Sequence, residues 1–182
     1  RIISVPRMTH ETGETIRFIS GLEIPQVRET YGYVAIAQFF ERLNIEWVMG
    51  GVNEFQVWTG ASSGSQKNEK LAKISPLMEH AVGDFRMTIA LQRAKTAREA
   101  VTVVAELTEK YGARTDHYIL ADPDEAWLWE ESYGTHWIAV RIPDDSCVVE
   151  PNTHTIGEVD LNDKKNVMCS RDLYSFAVDN GL

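Results

Sequence analysis

The spacing of apolar residues changes twice along this chain. From Thr15 to Ser20, Tyr31 to Phe40 and Phe55 to Ala61, short apolar or alternating runs lie between Gly, Pro and Asn, which predicts strands. Between Ser62 and Lys73 the residues turn to Ser, Gly, Gln, Lys, Asn and Glu, a polar loop leading into helical sequence. Apolar residues then recur at helical spacing, first over Phe85 to Arg93 and again at Ala97, Ala100, Val101, Val104, Leu107 and Tyr111. Thr96 with Glu99 forms a capping box at the start of the second helix, and Gly112 stands where a left-handed cap would end it. After Gly112 the period shortens again, predicting strands at His117 to Ala121, Ala126 to Glu131, His136 to Ile142 and Cys147 to Val149. Asp122-Pro123-Asp124-Glu125, Tyr133-Gly134-Thr135 and Pro143-Asp144-Asp145 separate them, so the four read as an antiparallel meander. Ile138, Val140 and Ile142 share one face of the third strand while Trp137 and Ala139 take the other, which predicts a sheet covered on both sides. Arg171 to Asp179 closes the chain as a helix, with Ser170 as cap and Gly181 as terminator. These elements make one α+β domain over residues 1–182, with two helices packed on one side of a sheet.

Composition narrows the function classes. The 182 residues are 43% hydrophobic and 25% charged, enough to bury a core. A net charge of −9, with Lys and Arg scattered, argues against nucleic-acid or anionic-membrane partners, which require a concentrated positive field. No apolar stretch approaches the ~20 residues of a membrane span. Cys147 and Cys169 make no disulfide framework, and a reducing cytoplasm fits them. The opening Arg1-Ile2-Ile3, without an initiator Met or a signal-like run, reads as the inside of a longer polypeptide.

Residue types alone show no reaction centre. His10, His80, His117, His136 and His154 lack the helical or clustered spacing of a zinc site, so neither a metal nor a cofactor is expected, and His117 and His136 read as half-exposed residues at strand starts. Asp122/Asp124 and Asp144/Asp145 fall in turns, where Asp bonds local amides. Gly50-Gly51 and Gly60 to Gly64 lack the spacing and Lys of a phosphate loop, and Ser62, Ser63 and Ser65 sit in no nucleophile elbow. Cys147 reads as a small buried hydrophobe, and Trp127, Trp129 and Trp137 as sheet core.

A series of short motifs carries more. Leu22-Glu23-Ile24-Pro25-Gln26-Val27, Glu29-Thr30-Tyr31 and Met49-Gly50-Gly51-Val52-Asn53-Glu54 are followed by Ala97-Arg98-Glu99-Ala100, Glu109-Lys110-Tyr111-Gly112 and Asp124-Glu125-Ala126-Trp127. His136-Trp137-Ile138-Ala139, Arg141-Ile142-Pro143-Asp144-Asp145, Val148-Val149-Glu150-Pro151-Asn152 and Cys169-Ser170-Arg171-Asp172-Leu173 complete it. In order and spacing the series resembles the dipeptidase-A and secernin family of N-terminal-nucleophile (Ntn) hydrolases, from about Val5 to Leu182.

That resemblance implies an αββα sandwich of two antiparallel sheets between helix layers, incomplete in this chain. It implies a peptidase that splits dipeptides with a cysteine exposed at a mature N-terminus, the cysteine's own α-amine, of pKa near ~8, serving as base. Neither Cys147 nor Cys169 is near an N-terminus, so the nucleophile is expected upstream. Asn152, after an apolar pair and Glu150-Pro151, matches the family's oxyanion-donating asparagine, with a plain turn role as the competing account. Asn53 and Ser62 are the expected substrate contacts, turn formation being the simpler account of Asn53. A small peptide is the expected partner, and a homo-oligomer stays open. Two other functions fit the resemblance: a non-catalytic, secernin-like interaction protein, and an amide acylase akin to bile-salt or penicillin acylases.

Overall fold

A computed structural model describes residues 1–18, 21–40, 45–63, 69–74, 85–113, 115–132 and 134–182. In chain order the elements are β1 (Ile2–Val5), β2 (Met8–Thr9), β3 (Thr15–Arg17), β4 (Glu23–Pro25), β5 (Glu29–Thr30), β6 (Tyr33–Phe40), β7 (Ile45–Asn53) and β8 (Trp58–Ser63). Then come α1 (Glu69–Ile74), α2 (Phe85–Arg93), α3 (Ala97–Tyr111), β9 (Asp116–Ala121), β10 (Ala126–Glu131), β11 (Trp137–Arg141), β12 (Val167–Cys169) and α4 (Leu173–Asp179). Eight strands form one antiparallel sheet in the order β1-β6-β7-β8-β9-β10-β11-β12, and β2–β5 and β3–β4 make two small ribbons.

The α+β expectation holds, and α2 and α3 lie on one face of the sheet. On that face Tyr118, Leu120, Trp127, Trp129 and Ala139 pack with Met87, Ala90, Val101 and Val104 of the helices. Small residues on the helices let them approach closely, while aromatic residues on the strands fill the gap. The Trp129 and Trp137 rings stack at 4.4 Å, so the three tryptophans of β10 and β11 are core. Of the αββα arrangement, the described residues show one helix layer and one large sheet. The opposite face is covered over β10 and β11, where Val148, Ile156 and Val159 line a cavity of about 260 Å³ with Leu128 and Val140. Over β1 and β6–β8 it is exposed: Ile2 is 77% and Ile36 62% accessible, beside Val34, Met49, Val52 and Trp58.

Both long helices stand where their periodicity predicts. Thr96 Oγ1 accepts the Glu99 amide at 3.1 Å, while Glu99 Oε2 reaches back to the Lys95 amide at 2.7 Å, one residue before the expected partner. Gly112 has φ of 74° with extended ψ, and its N–H reaches the Thr108 carbonyl. Asp122 is a turn residue as expected, its Oδ1 accepting the amides of Asp124 and Glu125, and its Oδ2 also accepts the Ala97 amide at the N-terminus of α3.

Several expectations need correction. Cys147 to Val149 is not a strand, because the free edge of β11 is taken by β12 in the register Val140↔Val167; Cys147 is accordingly exposed rather than buried. The strand expected from Phe55 starts at Trp58, since Phe55 and Gln56 form a turn, Gln56 with φ of 64°. Ser62 and Ser63 extend that strand rather than opening a loop. The last helix starts at Leu173 with Asp172 in the N-cap position and no side-chain capping bond, and the Ser170 hydroxyl instead accepts the Trp137 amide at 3.4 Å. His80 and Ser65 lie outside the described residues.

Gly51 shows how tightly β6, β7 and α2 approach. A Cβ there would lie 2.7 Å from the Val34 carbonyl oxygen, 2.9 Å from Ala35 Cβ and 3.0 Å from Leu91 Cδ1. Gly51→Ala is therefore expected to cost about 1–3 kcal/mol through overpacking, read as a lower urea midpoint with unchanged slope.

Candidate functional site

Strand register sets the site on the face away from the helices. Ser62 pairs with His117 and His117 with Glu130, so the three side chains stand in a row across β8, β9 and β10 on one face. Ala61, Tyr118 and Trp129 alternate with them toward the helices. The segment 150–156 lies over the row and is fastened at both ends. At one end Ser62 Oγ donates to Glu150 Oε1 at 3.1 Å, with the Pro151 carbonyl 3.4 Å away. At the other, Glu130 Oε1 accepts from the Thr155 amide at 2.5 Å, the Thr155 hydroxyl at 2.9 Å and the Ile156 amide at 3.1 Å. Between them the His154 ring meets the His117 ring at 4.7 Å, and His154 Nε2 lies 3.0 Å from the Glu131 carbonyl.

Burial sets the electrostatics. The His117 side chain has no accessible surface, and its Nδ1 lies 3.7 Å from Glu150 Oε1. Neither of its ring nitrogens makes an aligned hydrogen bond among the described residues, although the Pro151 carbonyl favours its charged form. Burial, seconded by His154, pushes its pKa down, so the imidazole is neutral at pH 7. Burial pushes the Glu150 carboxyl up, and the bond from Ser62 only partly offsets this. Among the described residues neither Glu150 nor Glu130 pairs with a Lys or Arg.

Of the expected site residues, Ser62 belongs to this assembly, bonding Glu150 and approaching Pro151, and Asn152, exposed, follows Pro151 directly in the chain. Asn53, the other expected substrate contact, does not belong to it. It lies on the helix side of the sheet, 5% exposed, its Nδ2 donating to the carbonyls of Leu91 at 2.9 Å and Ala94 at 2.7 Å. Its Oδ1 accepts the amides of Phe55 at 2.9 Å and Val57 at 3.0 Å, so every strong bond the carboxamide can make holds the turn to the end of α2. Two histidines expected to be half-exposed are buried: His117 wholly, and His136 stacked on Phe176 at 3.8 Å. Glu150, Glu130 and His154 carried no signal of their own. Pairing Ser62 with His117 across β8 and β9 would have exposed the row.

No helix among the described residues is long and apolar enough to cross a membrane. The chain is 35% identical to "Probable dipeptidase B" of Streptococcus pyogenes serotype M1 over 160 residues, 87% of this chain and 32% of that protein. It is 31% identical to "Probable dipeptidase" of Latilactobacillus sakei over 178 residues, 95% of this chain and 37% of that protein. It thus spans about a third of the length of these relatives. Penicillin V acylase from Agrobacterium tumefaciens superposes with a TM-score of 0.46 at 15% identity, over 77% of this chain and 40% of that one. Residues 3–182, which carry the helix layer, the sheet and the row from Ser62 to Glu130 with its covering segment, match one family profile throughout, and the chain belongs to peptidase family C69.

Proposed function

We propose that this chain forms part of a cysteine-type Ntn hydrolase that splits dipeptides, and that its nucleophile lies on a segment outside these residues. The junction of Ser62 with Glu150 and Pro151 supports this reading, because Asn152 follows it directly in the chain, next to a largely buried polar cluster. Membership of a peptidase family and likeness to two proteins named as probable dipeptidases support it.

In this reading the thiolate attacks the peptide carbonyl, and the nucleophile's α-amine takes and returns the proton. Asn152 donates its side-chain N–H to the oxygen as negative charge gathers there. A neutral donor suits this, since it holds no charge that must be desolvated before reaction. Ser62, anchored to Glu150, lines the approach.

Asn152→Ala in the polypeptide joining these residues to an N-terminal cysteine is expected to lower kcat about 10²-fold with little change in KM. Steady-state kinetics on alanyl-alanine test this, and unchanged turnover would remove Asn152 from the oxyanion site. Penicillin V and glycocholate in the same assay distinguish an acylase: turnover of either in preference to the dipeptide would replace the peptidase reading.

A further inference from the structure

We propose that Glu150 receives the free ammonium group of the substrate, so that the site selects peptides with an unblocked amino end. This rests on the peptidase reading and adds a specificity residue to it.

Among the described residues the two carboxyl groups of the cluster have no Lys or Arg beside them. The Glu150 side chain is only 7% exposed, yet among the described residues its one hydrogen bond is from the Ser62 hydroxyl. A carboxylate so enclosed ordinarily has a cation or several amide donors around it. Glu130 shows the second solution, with amides of Thr155 and Ile156 filling its oxygens. Glu150 has neither. His117, fully buried at 3.7 Å, is where a counter-cation would stand, but burial disfavours its charged form, and among the described residues neither ring nitrogen makes an aligned hydrogen bond. The enclosed carboxylate therefore lacks a positively charged donor.

An ammonium ion carries three N–H donors and no acceptor, so it matches this deficit without introducing an unpaired group. Position agrees with chemistry. Glu150 and Asn152 are two residues apart, so their Cα atoms are at most about 7 Å apart. An amine and the carbonyl of the same residue, each with a hydrogen bond of about 2.9 Å to the protein, span a comparable length. Ammonium held at Glu150 therefore brings the first peptide carbonyl of the substrate within reach of Asn152. An N-acyl group would replace the cation with a neutral amide and leave Glu150 unpaired, which disfavours blocked peptides.

The test compares alanyl-alanine with N-acetyl-alanyl-alanine in the full polypeptide and in its Glu150→Gln and Glu150→Asp variants, with thermal midpoints to verify folding. The unsubstituted protein is expected to favour the free amine. Glu150→Gln is expected to lower kcat/KM for it roughly 10- to 100-fold, mainly through KM, and to leave the acetylated peptide within a factor of three. Glu150→Asp is expected to recover part of the loss. An equal fall for both peptides would overturn the proposal, leaving Glu150 a support for Ser62, and so would no change for either. Absence of hydrolysis of both peptides by the unsubstituted protein would overturn the peptidase reading and this inference with it.

Discussion

Arg86→Met is expected to destabilise the chain by about 3–5 kcal/mol, because it strands buried charge. Arg86 is wholly buried where α2 faces β9 and β10. Its guanidinium bonds both oxygens of Glu131, one by Nη2 at 2.6 Å, and also reaches Tyr118 Oη at 2.7 Å, Thr108 Oγ1 at 2.5 Å and Asp116 at 3.3 Å. Glu131 further accepts the indole N–H of Trp129 at 2.9 Å. Burial pushes the Glu131 carboxyl upward even against this guanidinium, so without it the group would have to take up a proton. The double variant Arg86→Met, Glu131→Gln removes both charges and is expected to recover much of the loss. Urea unfolding of the two single variants and the double one closes the cycle. If Arg86→Met alone lost less than 1 kcal/mol, this network would not hold α2 to the sheet.

Asn53→Ala is expected to cost about 3–4 kcal/mol, several buried groups losing partners at about 1–3 kcal/mol each before any relaxation. The carbonyls of Leu91 and Ala94 at the end of α2 lose their donors, and the amides of Phe55 and Val57 lose their acceptor. Neighbouring Gln92 is served separately by the Tyr31 amide, so nothing nearby replaces the carboxamide. Asn53→Asp separates the two halves of this role. It keeps the acceptor but turns an oxygen toward two carbonyl oxygens, which raises the folded-state pKa above the unfolded one. Stability is then fully present below the unfolded carboxylate range and falls as pH rises through the folded value. Thermal midpoints at pH 4 and pH 7, relative to the unsubstituted protein, are expected to show the larger deficit at pH 7. An equal deficit at both would overturn this account of the Nδ2 bonds.

The two long helices were legible because local signals and periodicity agree in them: Thr96 and Glu99 cap α3, and Ala100, Val104 and Leu107 point one way. β7 was not, since Gly50 and Gly51 interrupt its apolar run for a reason that lies in its neighbours: Thr59 and Val34 crowd the places their side chains would take. β12 was misplaced because Val148-Val149 looks more like a strand than Val167-Met168-Cys169, while pairing depends on which segment the turns return to β11. At the site, Ser62 and Asn152 came from motif order alone. Glu150 and His117 stayed hidden because their significance is relational: 33 positions apart in the chain, each is an ordinary residue until the sheet sets them 3.7 Å apart.

The alternation of Ala61 with Ser62, and of Tyr118 with His117, has a consequence for how this protein can vary. Substitutions at 62 and 117 change the chemistry of the row while leaving their neighbours' packing on the helices in place, so chemical diversity can be explored there without dismantling the fold. A single-residue deletion between Trp58 and Ala61 is a different kind of event. It would turn Ser62 into the core and Ala61 out toward Glu150, exchanging reactivity and packing in one step. Gene lineages and engineered libraries of this chain should therefore tolerate replacement in β8 far better than any change in its length.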